Sequence, residues 1–173
     1  MSDEFHKIYR KDNLDLELQL YFYGGIKMKG ISNTRGISNG KLEHIFWGTV
    51  NGEKINGLHC YTTYRDERLY AEVRSYPNSR RIITANRGKK IAEAYVRDKT
   101  TGRLKTENFG KSTLFCSNWS RQEVVNCIDR LNNNGQCLIK YKSKVINKKV
   151  VVDPDTGMVF LNAPGTAYPI LRL

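Results

Sequence analysis

The chain has 173 residues and a formal net charge of +12, from 29 Lys and Arg against 17 Asp and Glu. That length suits one compact domain able to bury a core without staples, and 39% hydrophobic with 27% charged residues is ordinary for a soluble globular protein. No stretch approaches the ~18 apolar residues of a membrane span and residues 1–6 hold no apolar leader core, so no membrane partner is expected.

In chain order, residues 14–24 fit helix and strand templates in part, and we read them as helix. Residues 27–40, with three glycines among serine and asparagine, read as a loop. Residues 1–40 are thus a helical and loop segment packing on a domain of residues 41–173. Asn51-Gly52 is the preferred dipeptide of a two-residue hairpin turn, since both residues tolerate positive φ. With these two as the turn, Val50 pairs with Glu53 and, continuing outward, His44 faces His59, unless Gly48 or Gly57 introduces a bulge. Residues 65–78 are polar and end at Pro77-Asn78-Ser79. Residues 81–84 and 91–96 read as strands, 98–102 as a turn, and 103–106 as extended chain.

Ser120-Arg121-Gln122-Glu123 matches a capping box, followed by Val124, Val125, Ile128 and Leu131 at helical spacing. This predicts a well-capped helix near 121–132, closed by Asn132-Asn133-Asn134-Gly135. Residues 137–142, 145–152 and 158–161 read as strands, with a turn at 153–157. An α+β fold with antiparallel sheets follows. The four cysteines, Cys60, Cys116, Cys127 and Cys137, show no C-x-x-C spacing, so reduced, mostly buried thiols are expected, with no metal or other cofactor.

Function is first suggested by charge. A surplus of +12 points to a polyanionic partner, nucleic acid above all, with solubility as the plain alternative. The chain has only three histidines, and two of them, His44 and His59, lie in one short apolar segment. Two imidazoles across one small gap can serve as proton acceptor and proton donor near neutral pH. His6 has no such context and reads as a surface residue. Glu43 either orients His44 or sits on the surface. Lys140, Lys142, Lys144, Lys148 and Lys149 form a basic run, either a guarded sheet edge or a track for a nucleic-acid backbone.

Four ordered blocks carry a resemblance. Glu43-His44-Ile45-Phe46-x-Gly48, Gly57-x-His59, Lys111-Ser112-Thr113-Leu114-Phe115 and Thr166-Ala167-Tyr168-Pro169 resemble the EndoU endoribonucleases. They are most similar to the bacterial branch, many of whose members are toxin domains of contact-delivered or secreted toxins. Ser117-Asn118-Trp119-Ser120-x-x-Glu123-Val124-Val125 supports that placement, and the resemblance spans roughly residues 40–170. One departure is Cys116, where bacterial relatives often carry proline.

The resemblance implies a fold distantly related to pancreatic ribonuclease and a His44, His59 and Lys111 active site. It implies cleavage of single-stranded RNA, often beside uridine, to a 2′,3′-cyclic phosphate and a 5′-hydroxyl. By analogy His59 is the base and His44 the acid. Thr166 and Tyr168 would bind the nucleotide, and Ser112 and Thr113 are further candidates for base contact. Thr166 and Tyr168, two apart on extended chain, project to one face. An acidic immunity protein is a possible further partner, and a secreted or contact-delivered effector acting in the target-cell cytoplasm the expected setting. A non-catalytic RNA-binding module of the same fold is the competing reading.

Overall fold

The computed structural model describes residues 28–61, 64–75, 91–142 and 147–170. The helix read at 14–24, the strand at 81–84, and His6 and Lys144 lie outside the described residues. Among those described, helix α1 spans Asn39–Phe46, and hairpin strands β1 and β2 span Thr49–Asn51 and Lys54–Asn56. Strands β3 (Leu69–Ser75), β4 (Ala92–Asp98) and β5 (Lys111–Leu114) form a three-stranded antiparallel sheet. After helix α2 (Arg121–Asn133) comes a four-stranded antiparallel sheet. It consists of β6 (Gln136–Lys142), β7 (Asn147–Val152), β8 (Val159–Ala163) and β9 (Thr166–Pro169). The α+β expectation holds.

The helix and strand starts follow local chemistry. Ser120 accepts from the Glu123 amide while the Glu123 carboxylate accepts from the Ser120 amide, so the capping box forms as read. Behind it, Val124, Val125, Ile128 and Leu131 bury their side chains against Phe46, Phe115 and Phe160 in the larger core cluster. The Phe115 and Phe160 rings stack at 5.5 Å. A smaller cluster, Ile55, Leu58, Leu69 and Val96, joins the hairpin to the inner face of the three-stranded sheet. Arg121, buried in the first turn of α2, donates to Asp66 and Glu67 at 2.6–2.9 Å and to the Lys29 carbonyl at 3.0 Å. Although burial pushes the Asp66 carboxyl up, hydrogen bonds and the Arg121 charge hold it below its usual range.

Three expectations are corrected. His44 lies on helix α1, not on a hairpin strand. Ser38 caps that helix by accepting from the Lys41 amide, and Leu42, Ile45 and Phe46 bury one helical stripe. The hairpin forms one residue later than read, with Asn51 opposite Lys54 and Gly52-Glu53 as the loop. Gly52 takes the first central position with φ +58°, which suits a loop led by glycine. The polar stretch 65–78 holds strand β3; residues 103–106, read as extended chain, contribute one bridge, Arg97 to Leu104.

Candidate active site

Past its last residue, Phe46, helix α1 is closed off by Gly48, with φ +72°, whose amide donates to the Glu43 carbonyl. Glu43 therefore serves the helix end through its backbone. His44, in the last turn, is half-buried. Beyond the hairpin the chain returns and docks on that helix end: the Leu58 amide donates to the His44 carbonyl at 2.7 Å, and the His59 amide to the Ile45 carbonyl at 2.8 Å. Gly57 permits this approach. It has φ +83°, and a Cβ there would fall on the His44 carbonyl oxygen, far inside contact distance. Leu58 is also left-handed, φ +58°, a backbone region disfavoured by about 1–2 kcal/mol for a residue with a side chain. Its fully buried side chain offsets that cost. Two successive left-handed residues turn the chain so that His59 enters the interior beside His44.

His59 is 4% exposed and held through its backbone, its Nδ1 and one ring face. Its carbonyl accepts from the Phe115 amide at 2.7 Å. Its Nδ1 lies 3.0 Å from the Thr113 carbonyl oxygen, which can only accept. Nδ1 therefore carries a hydrogen, and Nε2 is the nitrogen able to take up a proton in the neutral ring. The ring stacks on Tyr168 with centroids 4.7 Å apart and 17° between planes. The two imidazoles lie 5.5 Å apart, tilted by 32°.

The remaining residues divide into two groups. Lys111 opens β5 and is half-buried, with Nζ 3.4 Å from Glu93 Oε2 and 5.7 Å from the Tyr95 ring centre. Lys111 and Thr113 alternate onto one strand face, so the cation stands two residues along from the carbonyl that fixes His59. Thr166 and Tyr168 alternate onto one half-buried face of β9, as their spacing predicts. The Thr166 Oγ1 is buried without a hydrogen-bond partner among the described residues. Ser112 faces the other way. It is buried, accepts from Lys105 Nζ at 2.8 Å and donates to the Gly57 carbonyl at 3.1 Å. Its hydroxyl braces the left-handed turn before His59 instead of facing solvent.

Two buried lysines escaped the sequence reading. Lys41, one helical turn before His44, donates to Asn162 Oδ1 at 2.6 Å and the Ala163 carbonyl at 2.8 Å, tying α1 to the β8–β9 hairpin. Burial pushes its pKa down to about 8. Lys105 lies behind Ser112, and burial likewise lowers it to about 8, with Glu107 opposing that shift. The only sequence hint for Lys41 was its position three residues before His44. Lys105 had none.

Of the basic run, Lys140 and Lys142 lie on β6 and Lys148 and Lys149 on β7, with Lys140 opposite Lys149. Cys60, Cys116 and Cys127 are buried and Cys137 is exposed, so the cysteines are mostly buried as expected. Cys116 packs its sulfur 3.9 Å from that of Met158.

Residues 38–171 match the family model described as bacterial EndoU nuclease. The chain belongs to that family. The match takes in His44, Gly57, His59, Lys111, Thr166 and Tyr168, and makes this EndoU nuclease an enzyme that cleaves nucleic acid. No curated protein and no solved structure matches the chain.

Proposed function

We propose that this EndoU nuclease is a cyclising endoribonuclease that needs no metal and cuts single-stranded RNA, with uridine preferred beside the cut. The observation that carries the reading is the facing pair His44 and His59, one of them tautomerically fixed by the Thr113 carbonyl. In RNA the 2′-hydroxyl lies beside its own phosphate, so the nucleophile arrives with the substrate. The step then needs a base, an acid and a cation.

His59 Nε2 takes the proton of the 2′-hydroxyl as O2′ bonds to phosphorus. The bond from phosphorus to O5′ breaks, and His44 in its protonated form donates to the departing O5′. The products are a 2′,3′-cyclic phosphate and a 5′-hydroxyl. Lys111 supplies positive charge to the phosphoryl oxygens. Tyr168 holds the His59 ring with one face and meets the ribose or base at the other side, while the unsatisfied Thr166 hydroxyl bonds a base edge. Thr113 acts through its carbonyl, and Ser112 positions the His59 turn.

We also read the chain as a toxin effector domain, secreted or delivered by contact into a target-cell cytoplasm, with an acidic immunity protein as partner. The +12 charge and the bacterial EndoU placement support this.

The test is cleavage of total RNA in EDTA. His44→Ala and His59→Ala each lower the rate by about 10²–10⁴-fold with the fold retained by circular dichroism, though His59→Ala melts lower because it empties a buried position and unpairs the Thr113 carbonyl. RNA with a single 2′-deoxy sugar at the cut stays intact. Wild-type rates from either variant, or cutting of the deoxy substrate, refute internal attack by this pair. Intact RNA with wild-type protein points to a binding module or a metal requirement.

A further inference from the structure

One large apolar side chain is left outside. Phe109 is 91% exposed, whereas no other described large hydrophobic exceeds the 40% of Leu104. It sits in the 3-10 turn Asn108–Gly110, directly before Lys111. Asn108, Phe109 and Gly110 are all left-handed, with φ of 52°, 52° and +81°. Asparagine and glycine tolerate this region, but an aromatic residue there is strained. Neither burial nor backbone preference accounts for phenylalanine at this position. Yet the turn is well held: the Gly110 amide donates to the Glu107 carbonyl at 3.2 Å and Asn108 Nδ2 to the Lys111 carbonyl at 3.4 Å. A bulky residue kept in strained backbone and in solvent is a reason to look for a ligand.

The neighbouring surface says which ligand. In the β3–β4–β5 register, Tyr70 lies opposite Arg97, Glu72 and Lys111 both lie opposite Tyr95, and Glu93 lies opposite Thr113. Paired residues share a sheet face, so these seven side chains occupy the face turned away from the core, and each is half-buried or exposed. Its two carboxylates are already matched, Glu93 with Lys111 at 3.4 Å and Glu72 with Arg97 at 3.6 Å. Gly110 packs on this face, its Cβ position 3.4 Å from the Tyr95 ring. Phe109, one residue before Gly110, thus stands at the rim of a face that interleaves Tyr70 and Tyr95 with Arg97 and Lys111. Interleaving of that kind suits single-stranded nucleic acid, whose bases stack on rings while its phosphates meet cations.

We propose that Phe109, at the rim of the open β3–β4–β5 face, stacks a nucleobase of single-stranded RNA flanking the scissile phosphate on the Lys111 side. The assignment rests on the RNA-cleaving reading above, but its test does not. An end-labelled oligoribonucleotide with one 2′-O-methyl uridine at the cut, which internal attack cannot open, is scanned with single abasic sites. Binding to wild type and Phe109→Ala is followed by fluorescence anisotropy. For wild type, one flanking position loses roughly 5- to 150-fold in Kd when made abasic. Phe109→Ala starts weaker by a similar factor and is insensitive at that position only. Phe109→Gly, at ease in left-handed backbone, binds as weakly as the alanine variant while melting higher than wild type, which separates binding from folding.

Equal affinity of Phe109→Ala and wild type, or a loss spread evenly over all positions, overturns the proposal and leaves Phe109 to a protein partner. Absence of RNA binding by wild type overturns it too. Position-specific coupling in a wild-type protein that cuts no RNA would sink the cleavage reading and keep the platform. Cleavage with no coupling would do the reverse.

Discussion

His59 and Lys111, both expected in the active site, are held in opposite ways. His59 is buried, its amide and carbonyl both bond to other segments, its Nδ1 is fixed, and its ring lies flat on Tyr168. Lys111 is about a third exposed, and Glu93 holds its ammonium at 3.4 Å. The difference matches what each group would do. A proton-transfer ring must present one lone pair at one angle, whereas an ammonium acts on a phosphate as a compact point charge and tolerates movement. Structure is therefore concentrated behind the imidazole.

The largest expected effect is Gly57→Ala, which attacks the precise half. The new methyl meets the His44 carbonyl, and alanine cannot take φ +83° without strain. Clash and strain together should cost more than about 3 kcal/mol of stability. Surviving folded protein should cut RNA at least ~10²-fold more slowly, since His59 is displaced. Urea unfolding and initial rates measure both. A variant as stable and active as wild type would show that the helix end and the His59 turn adjust freely, and the contrast with Lys111 would disappear.

Lys111→Ala tests the tolerant half. Loss of the cation should lower kcat by about 10²–10³-fold with unchanged stability, and Lys111→Arg should recover part of that loss. Glu93→Gln should be smaller still. The pair is partly exposed, so stability should change by less than about 1 kcal/mol and the rate only a few-fold. A Glu93→Gln effect as large as that of Lys111→Ala would mean that the ammonium, too, is held in one place.

The same division decided what the sequence could reveal. The α2 capping box is local, four consecutive residues satisfying one another, and it formed as read. Thr166 and Tyr168 kept their shared face because strand alternation is also local. The pairing of His44 with His59 was found through the wrong scaffold: the rings meet at 5.5 Å, but across a helix end and a left-handed turn. The apolar stripe Leu42, Ile45 and Phe46 was the helix signal, obscured by the hairpin signal next to it. Strand β3 was missed because its outer face carries Tyr70 and Glu72 toward solvent, leaving only Leu69, Ala71 and Val73 as an apolar trace. The burial of Lys41 and Lys105 could not be read at all, since a lysine is buried by its tertiary neighbours, not by its sequence.

Lys105 gives the smallest and most specific prediction. It lies six residues before Lys111 but is buried, 8% exposed, bonding Ser112 behind the Gly57 turn. Burial lowers its pKa to about 8, against an ordinary value of 10.5. At pH 7 the ammonium is kept in both folded and unfolded chains, and the folded state bears the full desolvation cost. Between about 8 and 10.5 the folded chain has released its proton while the unfolded chain still binds it, so stability rises with pH across that window. Lys41 behaves alike, so the share of Lys105 is isolated by difference. Relative to Lys105→Met, wild type should gain about 2 kcal/mol between pH 7 and pH 9.5, measured by urea unfolding. An equal difference at both pH values would mean that water reaches Lys105, and that the support behind His59 is looser than its hydrogen bonds suggest.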